Sequence, residues 1–382
     1  MKTLNLYYAT NRKHDGPDRW APTGYGTRFS DDGAENLRFG RLELDVGEAV
    51  LKKHLGARLK GKLGHGNGNA LAKALTPLVA GARIKAYAEA IDSAKPESMQ
   101  PGAKFGSLAM FADLKSAMMA SSDVLIYIHG FNVSWTDAVA SALALQEQIN
   151  RSDEGKKEQE VLVVLFTWPS NGKALPMVSY KSDRVDARAS GGAVGRAFLK
   201  LRDYLQEILT RDRNGDDVAC GQELHLLCHS MGNYVLQSAL ERMFEFTPGS
   251  SFPRIFEHVF LCAPDVDDTV LEPGQPFGTV HELSQHVTVY SNRGDIAMYT
   301  SDYTKGNPDR LGHRGPARPA LVHNKVHCVD CTPIVEGLVE HGYYLDGSVN
   351  QDIRYSIASK PQDASIRKRT RDRDLPNVWK LK

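Results

Sequence analysis

Ser230 is the residue whose surroundings first indicate chemistry. It follows the short apolar run Leu224–Leu227, and Gly232 and a stretch with helical periodicity come directly after it. A sharp turn from strand to helix lifts a serine hydroxyl clear of the backbone and points the helix N-terminus at developing negative charge. The usual pattern is Gly-x-Ser-x-Gly, and here Cys228 occupies the first small position, although it adopts positive φ less readily than glycine. We therefore interpret Ser230 as a nucleophile whose assignment depends on its partners.

A serine nucleophile needs a general base, usually histidine, and an acid that orients this base. In hydrolases built on a parallel sheet these residues follow in the order Ser, Asp or Glu, His. Asp295 comes after the apolar run Val287–Tyr290, and His341 comes after the last predicted strand. Asp265, which follows the preceding strand, is the alternative acid, since the geometry of a sheet does not distinguish the two positions. The sequence predicts a triad of Ser230, His341 and an aspartate.

Acyl transfer also needs hydrogen-bond donors for the oxyanion. The backbone N–H of Met231, directly after the nucleophile, is one expected donor. The run Val124–Ile128 leads into His129, Gly130 and Phe131, so the N–H of Phe131 is the expected second donor. Both donors would lie at the same edge of the sheet as the serine.

The elements that must position these residues alternate from residue 121 onward between apolar runs and stretches of helical periodicity. This alternation is typical of a parallel sheet that is covered by helices on both faces. Right-handed crossovers then give a doubly wound α/β sheet, whose ligands bind at the carboxyl ends of the strands. The predicted strands are Val124–Ile128, Val161–Thr167, Leu224–Leu227, His258–Cys262, Val287–Tyr290 and Val326–Val329.

The first 120 residues are less regular. Leu4–Ala9 and Phe39–Val46 are expected to form an antiparallel pair at the sheet edge, which would complete an eight-stranded order. Residues 50–106 are interpreted as an insertion, in which 70–80 and 83–94 are rich in alanine and compatible with helices.

The C-terminal residues 356–382 are polar and basic, with a cluster of arginines that is interrupted by aspartates. Such a composition is typical of a solvated tail. We therefore predict a single domain over residues 1–355, followed by this tail.

Charge and composition limit the classes of function. The 382 residues include 47 basic and 46 acidic side chains, and 41% of them are hydrophobic, which suits a large core without an electrostatic preference for nucleic acid or an anionic membrane. The N-terminus lacks the features of a secretory signal, and the apolar runs are too short to span a bilayer. A cytoplasmic protein that acts on a small molecule is expected.

The number and spacing of the cysteines indicate neither a disulfide framework nor a metal site. Their number, five, is odd in a long chain, which argues against a disulfide framework. Cys328 and Cys331 have the C-x-x-C spacing of redox and zinc sites, but they lie in a predicted strand without a second ligand pair. We interpret them as structural and expect the protein to need neither a metal nor an organic cofactor.

Several motifs, taken together, resemble one known family. They are Ile128–Asn132, Phe166–Ser170 with Tyr180 and Asp183 downstream, His229–Asn233, Ala263–Asp265 and His341–Tyr344, with Tyr8–Arg12 near the start. The combination resembles a bacterial α/β-hydrolase family catalogued as a domain of unknown function, over roughly residues 120 to 355. The resemblance implies the α/β-hydrolase fold, Ser230 as nucleophile, His341 as base, Asp295 as acid and an esterase-like or lipase-like activity.

The resulting hypothesis is a serine hydrolase that cleaves a carboxylic ester, or a thioester or amide, through an acyl-enzyme. Two alternatives stay open. Cys228 at the first elbow position and the insertion at 50–106 are compatible with a catalytically inactive protein that uses the fold for binding or scaffolding. Transfer of the acyl group to an alcohol other than water is the other alternative. The sequence does not identify partner proteins.

Overall fold

The computed structural model describes most of the chain. The described residues are 1–55, 58–59, 62–63, 66–90, 99, 101–120, 122–151, 160–170, 176–215, 221–247, 251–298, 308–335, 341–345 and 347–382.

The strands are two to nine residues long, and those in the middle of the sheet are mostly apolar. They are β1 Lys2–Thr10, β2 Arg12–Asp15, β3 Gly24–Phe29, β4 Arg38–Val46, β5 Arg58–Leu59, β6 Lys62–Leu63, β7 Arg83–Ala86, β8 Ser122–Ile128, β9 Glu160–Thr167, β10 Leu224–His229, β11 Phe256–Cys262, β12 Ser284–Ser291, β13 Val326–Asp330, β14 Arg369–Arg371 and β15 Val378–Leu381. The helices are α1 Glu48–Leu55, α2 Gly68–Leu75, α3 Gly106–Met119, α4 Trp135–Ile149, α5 Pro176–Arg213, α6 Gly232–Phe244, α7 Leu311–Arg314 and α8 Gly347–Ile357.

Within the described residues, eleven strands form one sheet in the order β14-β15-β13-β12-β11-β10-β8-β9-β1-β4-β7. All neighbours from β15 to β1 in this order are parallel, and β14, β4 and β7 pair antiparallel at the two edges. The carboxyl ends of the parallel strands therefore meet at one edge, where ligands bind in sheets of this kind.

Apolar side chains pack on both faces of the sheet. One layer contains α1, α2, α4 and α8, and the other contains α3, α5 and α6. Strands buried on both faces need nearly continuous apolar sequence, which explains why β8, β9 and β10 read as apolar runs rather than as alternating patterns. The predicted α/β class and the predicted central strands are confirmed, and β10 extends to the residue before Ser230.

The N-terminal residues contribute more strand pairing to the sheet than the sequence predicted. β1 and β4 pair antiparallel as predicted, but β1 also pairs parallel with β9, and β7 adds a further strand to β4. The predicted helix-compatible piece at 83–94 is wrong in its first part, because Arg83–Ala86 satisfies its backbone groups on the free edge of β4. Residues 91–94 lie outside the described part of the chain.

The expectation of a solvated C-terminal tail is wrong for much of residues 356–382. β15 pairs with β13 and β14 pairs with β15, so this segment extends the main sheet. Its arginines reach inward: the side chains of Arg367 and Arg369 are fully buried against Asp352 of α8. A charge-rich composition predicted solvation because it does not reveal a buried partner elsewhere in the chain.

Asp352 is expected to be essential for this packing. Its Oδ1 accepts from Nε of Arg367 at 3.0 Å and from Nε of Arg369 at 2.9 Å, and the Tyr290 hydroxyl donates to Oδ2 at 2.6 Å. Burial alone would raise the pKa of Asp352, but the charges of Arg369 and Arg367 hold it below its ordinary value. Asp352→Asn leaves two buried guanidinium groups without their anion, and we expect the free energy of unfolding to fall by about 3–5 kcal/mol.

Urea denaturation measures this loss of stability, with an unchanged m-value indicating that the folded state is retained. The exposed Asp363 lies in the C-terminal segment 356–382, which also carries Arg367 and Arg369. Asp363→Asn is therefore the matched control and should leave the midpoint nearly unchanged. Equal midpoints for the wild type and Asp352→Asn would contradict the prediction.

In the part of the chain that the structure describes, no helix is both long enough and apolar enough to cross a membrane.

Candidate active site

Ser230 lies on a sharp turn between β10 and α6. Its φ is +51°, in the left-handed region that side chains other than glycine rarely occupy, and its N–H donates to the carbonyl of Cys262 at 2.9 Å. Gly232 makes this turn possible, because a Cβ there would lie 2.5 Å from the carbonyl oxygen of Ile128. Strained backbone held by its surroundings is typical of functional sites, and here it presents the serine at the carboxyl end of β10.

Cys228 occupies the first elbow position as a core residue. Its side chain is fully buried in the apolar layer on the α6 side of the sheet. Burial raises the pKa of this thiol well above its ordinary value, so it stays protonated and unreactive. A small apolar side chain therefore suffices at this position of the strand, and the positive φ falls on Ser230 itself.

The loop between β8 and α4 lies against the serine. A Cβ on Gly130 would come within 2.8 Å of the Ser230 Cβ, so only glycine allows this approach. The next residue along the loop is Phe131, and Ser134 ends the loop by accepting the N–H of Asp137 as the N-cap of α4. Among the described residues, no hydrogen-bond acceptor binds the N–H groups of Phe131 and Met231.

His341 and Asp295 form a hydrogen-bonded pair. The His341 Nδ1 lies 2.7 Å from Oδ2 of Asp295, whose side chain is fully buried, while the His341 side chain is 25% exposed. Oδ1 of the same carboxylate accepts the N–H groups of Ala297 and Met298, which fixes its orientation. A proton on Nδ1 leaves Nε2 as the basic nitrogen of the imidazole.

The pair changes both pKa values. Burial alone would raise the pKa of Asp295, but the charge of His341, its hydrogen bond and the Met298 N–H hold it below the ordinary value. Burial alone would lower the pKa of His341, but the charge and hydrogen bond of Asp295 raise it above 6.5. The carboxylate therefore stays ionised and favours an imidazolium beside it.

His229, directly before Ser230, connects the turn at Ser230 to His341. Its Nε2 lies 3.0 Å from the carbonyl oxygen of His341, and the two rings are 4.6 Å apart between centroids. Burial and the neighbouring His341 lower the pKa of His229 to about 3, so His229 is neutral beside His341. Sequence reasoning missed this contact, because only its position next to the serine suggested a role.

Asp265 is close to the serine but has other partners. Its N–H donates to the carbonyl of Ser230 at 3.2 Å, whereas its carboxylate accepts the Tyr180 hydroxyl at 2.9 Å and lies 3.2 Å from Nε of the buried Arg310. Arg310 was not among the predicted residues, since no local pattern links it to a strand end 45 residues earlier. Asp295, not Asp265, holds the hydrogen bond to His341 Nδ1.

The predicted insertion also contacts the segment that carries His341. Asn69, on α2, donates from Nδ2 to the carbonyl of Gly342 at 3.0 Å. Gly342 is the residue after His341, so this hydrogen bond ties α2 to the loop of the predicted base. Among the described residues, no three His, Cys, Asp or Glu side chains converge in a way that would hold a metal ion.

The raised pKa of His341 predicts the pH dependence of activity. The general base predicted from the sequence, His341, must be neutral in the free enzyme, so kcat/KM for a neutral ester, the predicted substrate, should rise with pH and reach half its maximum above 6.5. In Asp295→Asn the carboxylate charge that raises this pKa is absent, and the midpoint of the residual activity should move to lower pH. Initial rates between about pH 5 and 9 measure both profiles. A wild-type midpoint below the ordinary histidine value, or identical midpoints in the two proteins, would contradict this assignment.

The parallel sheet and the sharp turn at Ser230 define the class of protein, an α/β hydrolase. The chain belongs to the family described as alpha/beta hydrolase of unknown function (DUF900), whose model matches residues 109–351. It is similar to an uncharacterized protein of Nostoc sp., alr1448, with 22% identity over 311 residues, which are 65% of this chain and 76% of that protein. No solved structure matches the chain.

Proposed function

We propose that this protein is a serine hydrolase that cleaves a carboxylic ester through an acyl-enzyme, with Ser230, His341 and Asp295 as its triad. The observation that carries the proposal is the strained turn at Ser230, with the hydrogen-bonded pair of His341 and Asp295 beside it. The order of the three residues along the chain agrees with that of α/β hydrolases.

In the proposed reaction, Ser230 Oγ attacks the ester carbonyl while Nε2 of His341 takes the hydroxyl proton. Asp295 stabilises the imidazolium that forms, and the N–H groups of Met231 and Phe131 bind the oxyanion. His341 then gives the proton to the departing alcohol as the C–O bond breaks. Water, deprotonated by the same imidazole, attacks the acyl-enzyme and releases the carboxylic acid, which regenerates Ser230.

A fluorophosphonate probe tests the nucleophile directly, since it phosphonylates only an activated serine. Mass spectrometry of the digested wild-type protein should locate the adduct on Ser230, and a heat-denatured sample is the control that should carry none. Hydrolysis of short-chain and long-chain p-nitrophenyl esters by the same preparation tests the reaction itself. Labelling at another residue, or no labelling with no ester turnover, would contradict the proposal and favour a binding protein that only uses the fold.

The same preparation separates hydrolysis from acyl transfer. With water as the acceptor, the carboxylic acid equals the alcohol released, whatever alcohol is added to the assay. We expect this equality over a series of added acceptor alcohols, measured by chromatography of the products. A new ester that grows at the expense of the acid would identify the protein as an acyltransferase.

A further inference from the structure

The backbone around Phe131 is held by a buried polar network that the proposed triad does not use. Asn132 has a φ of +59° and is, like Ser230, a residue other than glycine in the left-handed region. Its N–H donates to Oδ2 of Asp183 at 3.3 Å. The N–H of Val133 donates to Oγ of Ser170 at 3.1 Å, and Ser170 in turn donates to the same Asp183 oxygen at 2.6 Å. Asp183 therefore holds two successive N–H groups of the loop.

Arg12 holds the carbonyl groups of the same loop. Its Nη2 donates to the carbonyl of Val133 at 2.8 Å, and its Nε donates to Oγ1 of Thr167 at 2.9 Å. Nδ1 of His129 lies 2.8 Å from the carbonyl of Gly130, which can only accept, so Nδ1 carries the proton and donates. The unprotonated Nε2 then accepts from the Thr167 hydroxyl, whose Oγ1 lies 2.9 Å away.

These four contacts leave one backbone donor in the middle of the loop. The carbonyl of Gly130, the N–H of Asn132 and both polar groups of Val133 are bound, and the Phe131 N–H between them donates to no described residue. The Phe131 ring also packs edge-on against Tyr180, with the centroids 5.6 Å apart. The loop is thus fixed on both sides of the proposed oxyanion donor.

Burying the charges of Arg12 and Asp183 lowers the free energy of unfolding, which indicates that the network serves function and not stability. Arg12 and Asp183 are charged residues that are only 1% and 0% exposed. Burying charges in this way costs free energy that an apolar replacement would avoid. Burial lowers the pKa of Arg12 to about 9, with Asp183 opposing the shift. Asp183 accepts the Asn132 N–H and Arg12 donates to the Val133 carbonyl, so these buried charges fix the position of the loop. Arg12 also donates from Nη1 to the carbonyl of Gly26 at 3.0 Å, which anchors it on β3.

We propose that Asp183 and Arg12, through Ser170 and Thr167, are positioning residues that hold the Phe131 N–H toward the oxyanion of the tetrahedral intermediate. This inference rests on the proposed serine hydrolase function. The proposed triad leaves two of the sequence motifs without a role, Tyr8–Arg12 and Phe166–Ser170 with Asp183 downstream. The inference gives residues of both motifs a role. The oxyanion forms only after attack, so these residues act on the transition state and not on substrate binding.

The test compares Asp183→Asn with the wild type in ester hydrolysis. Asparagine keeps the volume of Asp183 but lacks its charge, and we expect kcat to fall by about 10–100-fold with KM within about twofold. An alkyl trifluoromethyl ketone forms a hemiketal with Ser230 and reproduces the oxyanion, so its Ki should rise by the same factor as kcat/KM falls. Ser170→Ala, which removes the acceptor of the Val133 N–H, should show the same pattern with a smaller amplitude and serves if Asp183→Asn does not fold.

Asp352→Asn is the matched control, since it changes an equally buried aspartate on α8 whose side chain binds Arg367, Arg369 and Tyr290. Corrected for the folded fraction measured by circular dichroism, its kcat and ketone Ki should equal those of the wild type. An Asp183→Asn protein with wild-type kcat per folded molecule, or with raised KM and unchanged kcat, would overturn the inference. The failure is distinct from that of the proposed function, because in that case the wild type itself shows neither fluorophosphonate labelling nor ester turnover.

Discussion

Ser230→Ala is expected to lower kcat for ester hydrolysis by about 10⁶-fold, the loss found when a triad nucleophile is removed. Alanine cannot form the acyl-enzyme, so only the residual effect of substrate binding and the oxyanion donors remains. The turn itself should be retained, because the Ser230 N–H and not its side chain donates to Cys262. Stopped assays with a p-nitrophenyl ester, followed by circular dichroism of the same sample, measure the loss and check the fold.

A second serine on the same helix gives the control for this experiment. Ser238 lies two turns along α6 and donates to the carbonyl of Tyr234 at 3.0 Å, away from the proposed chemistry. Ser238→Ala should keep kcat close to the wild-type value. If Ser230→Ala retained more than a few per cent of the wild-type turnover, another nucleophile would have to carry the reaction.

Asp295→Asn is expected to lower kcat by about 10⁴-fold while leaving the fold intact. Asparagine fits the same space, but it has no charge to stabilise the imidazolium and can place the His341 proton on the wrong nitrogen. The Asp295 carboxylate is fully buried and bonded to His341 Nδ1 at 2.7 Å, so no solvent replaces its effect. Burst kinetics should show that both acylation and deacylation slow down.

The matched variant is Asp265→Asn, in the strand-end position that the sequence left as an alternative. Its carboxylate is bound by Tyr180 and lies beside Arg310, so we expect its removal to affect stability more than chemistry. Its kcat per folded molecule should fall far less than that of Asp295→Asn. The opposite ranking would move the proposed acid one strand earlier in the sheet.

The central sheet was predictable because burial on both faces leaves a local record. A strand such as β10 or β11 must be apolar at nearly every position, and that run is visible without any knowledge of its neighbours. The edges were less predictable. Arg83–Ala86 has a helix-compatible composition, and it became a strand because β4 offered it an unpaired edge.

The C-terminal segment shows the same limit for charged residues. Local composition gave no reason to bury Arg367 and Arg369, since an arginine in a polar stretch is usually solvated. Their burial depends on Asp352, which comes from a helix earlier in the chain and reaches them only when β14 and β15 join the sheet. The partner, and not the arginine's own surroundings in the sequence, decides where the charge lies.

For the candidate site, the sequence by itself determined the strand ends, the small residue at Gly232 and the order Ser230, Asp295, His341, because each is a local feature or a matter of chain order. Only the tertiary structure decided which carboxylate bonds to His341, that Arg310 occupies the other one, and that Arg12 and Asp183 hold the loop of Phe131. The physical reason is that a hydrogen bond acts over about 3 Å, and loops from distant parts of the chain set which polar groups come within that distance.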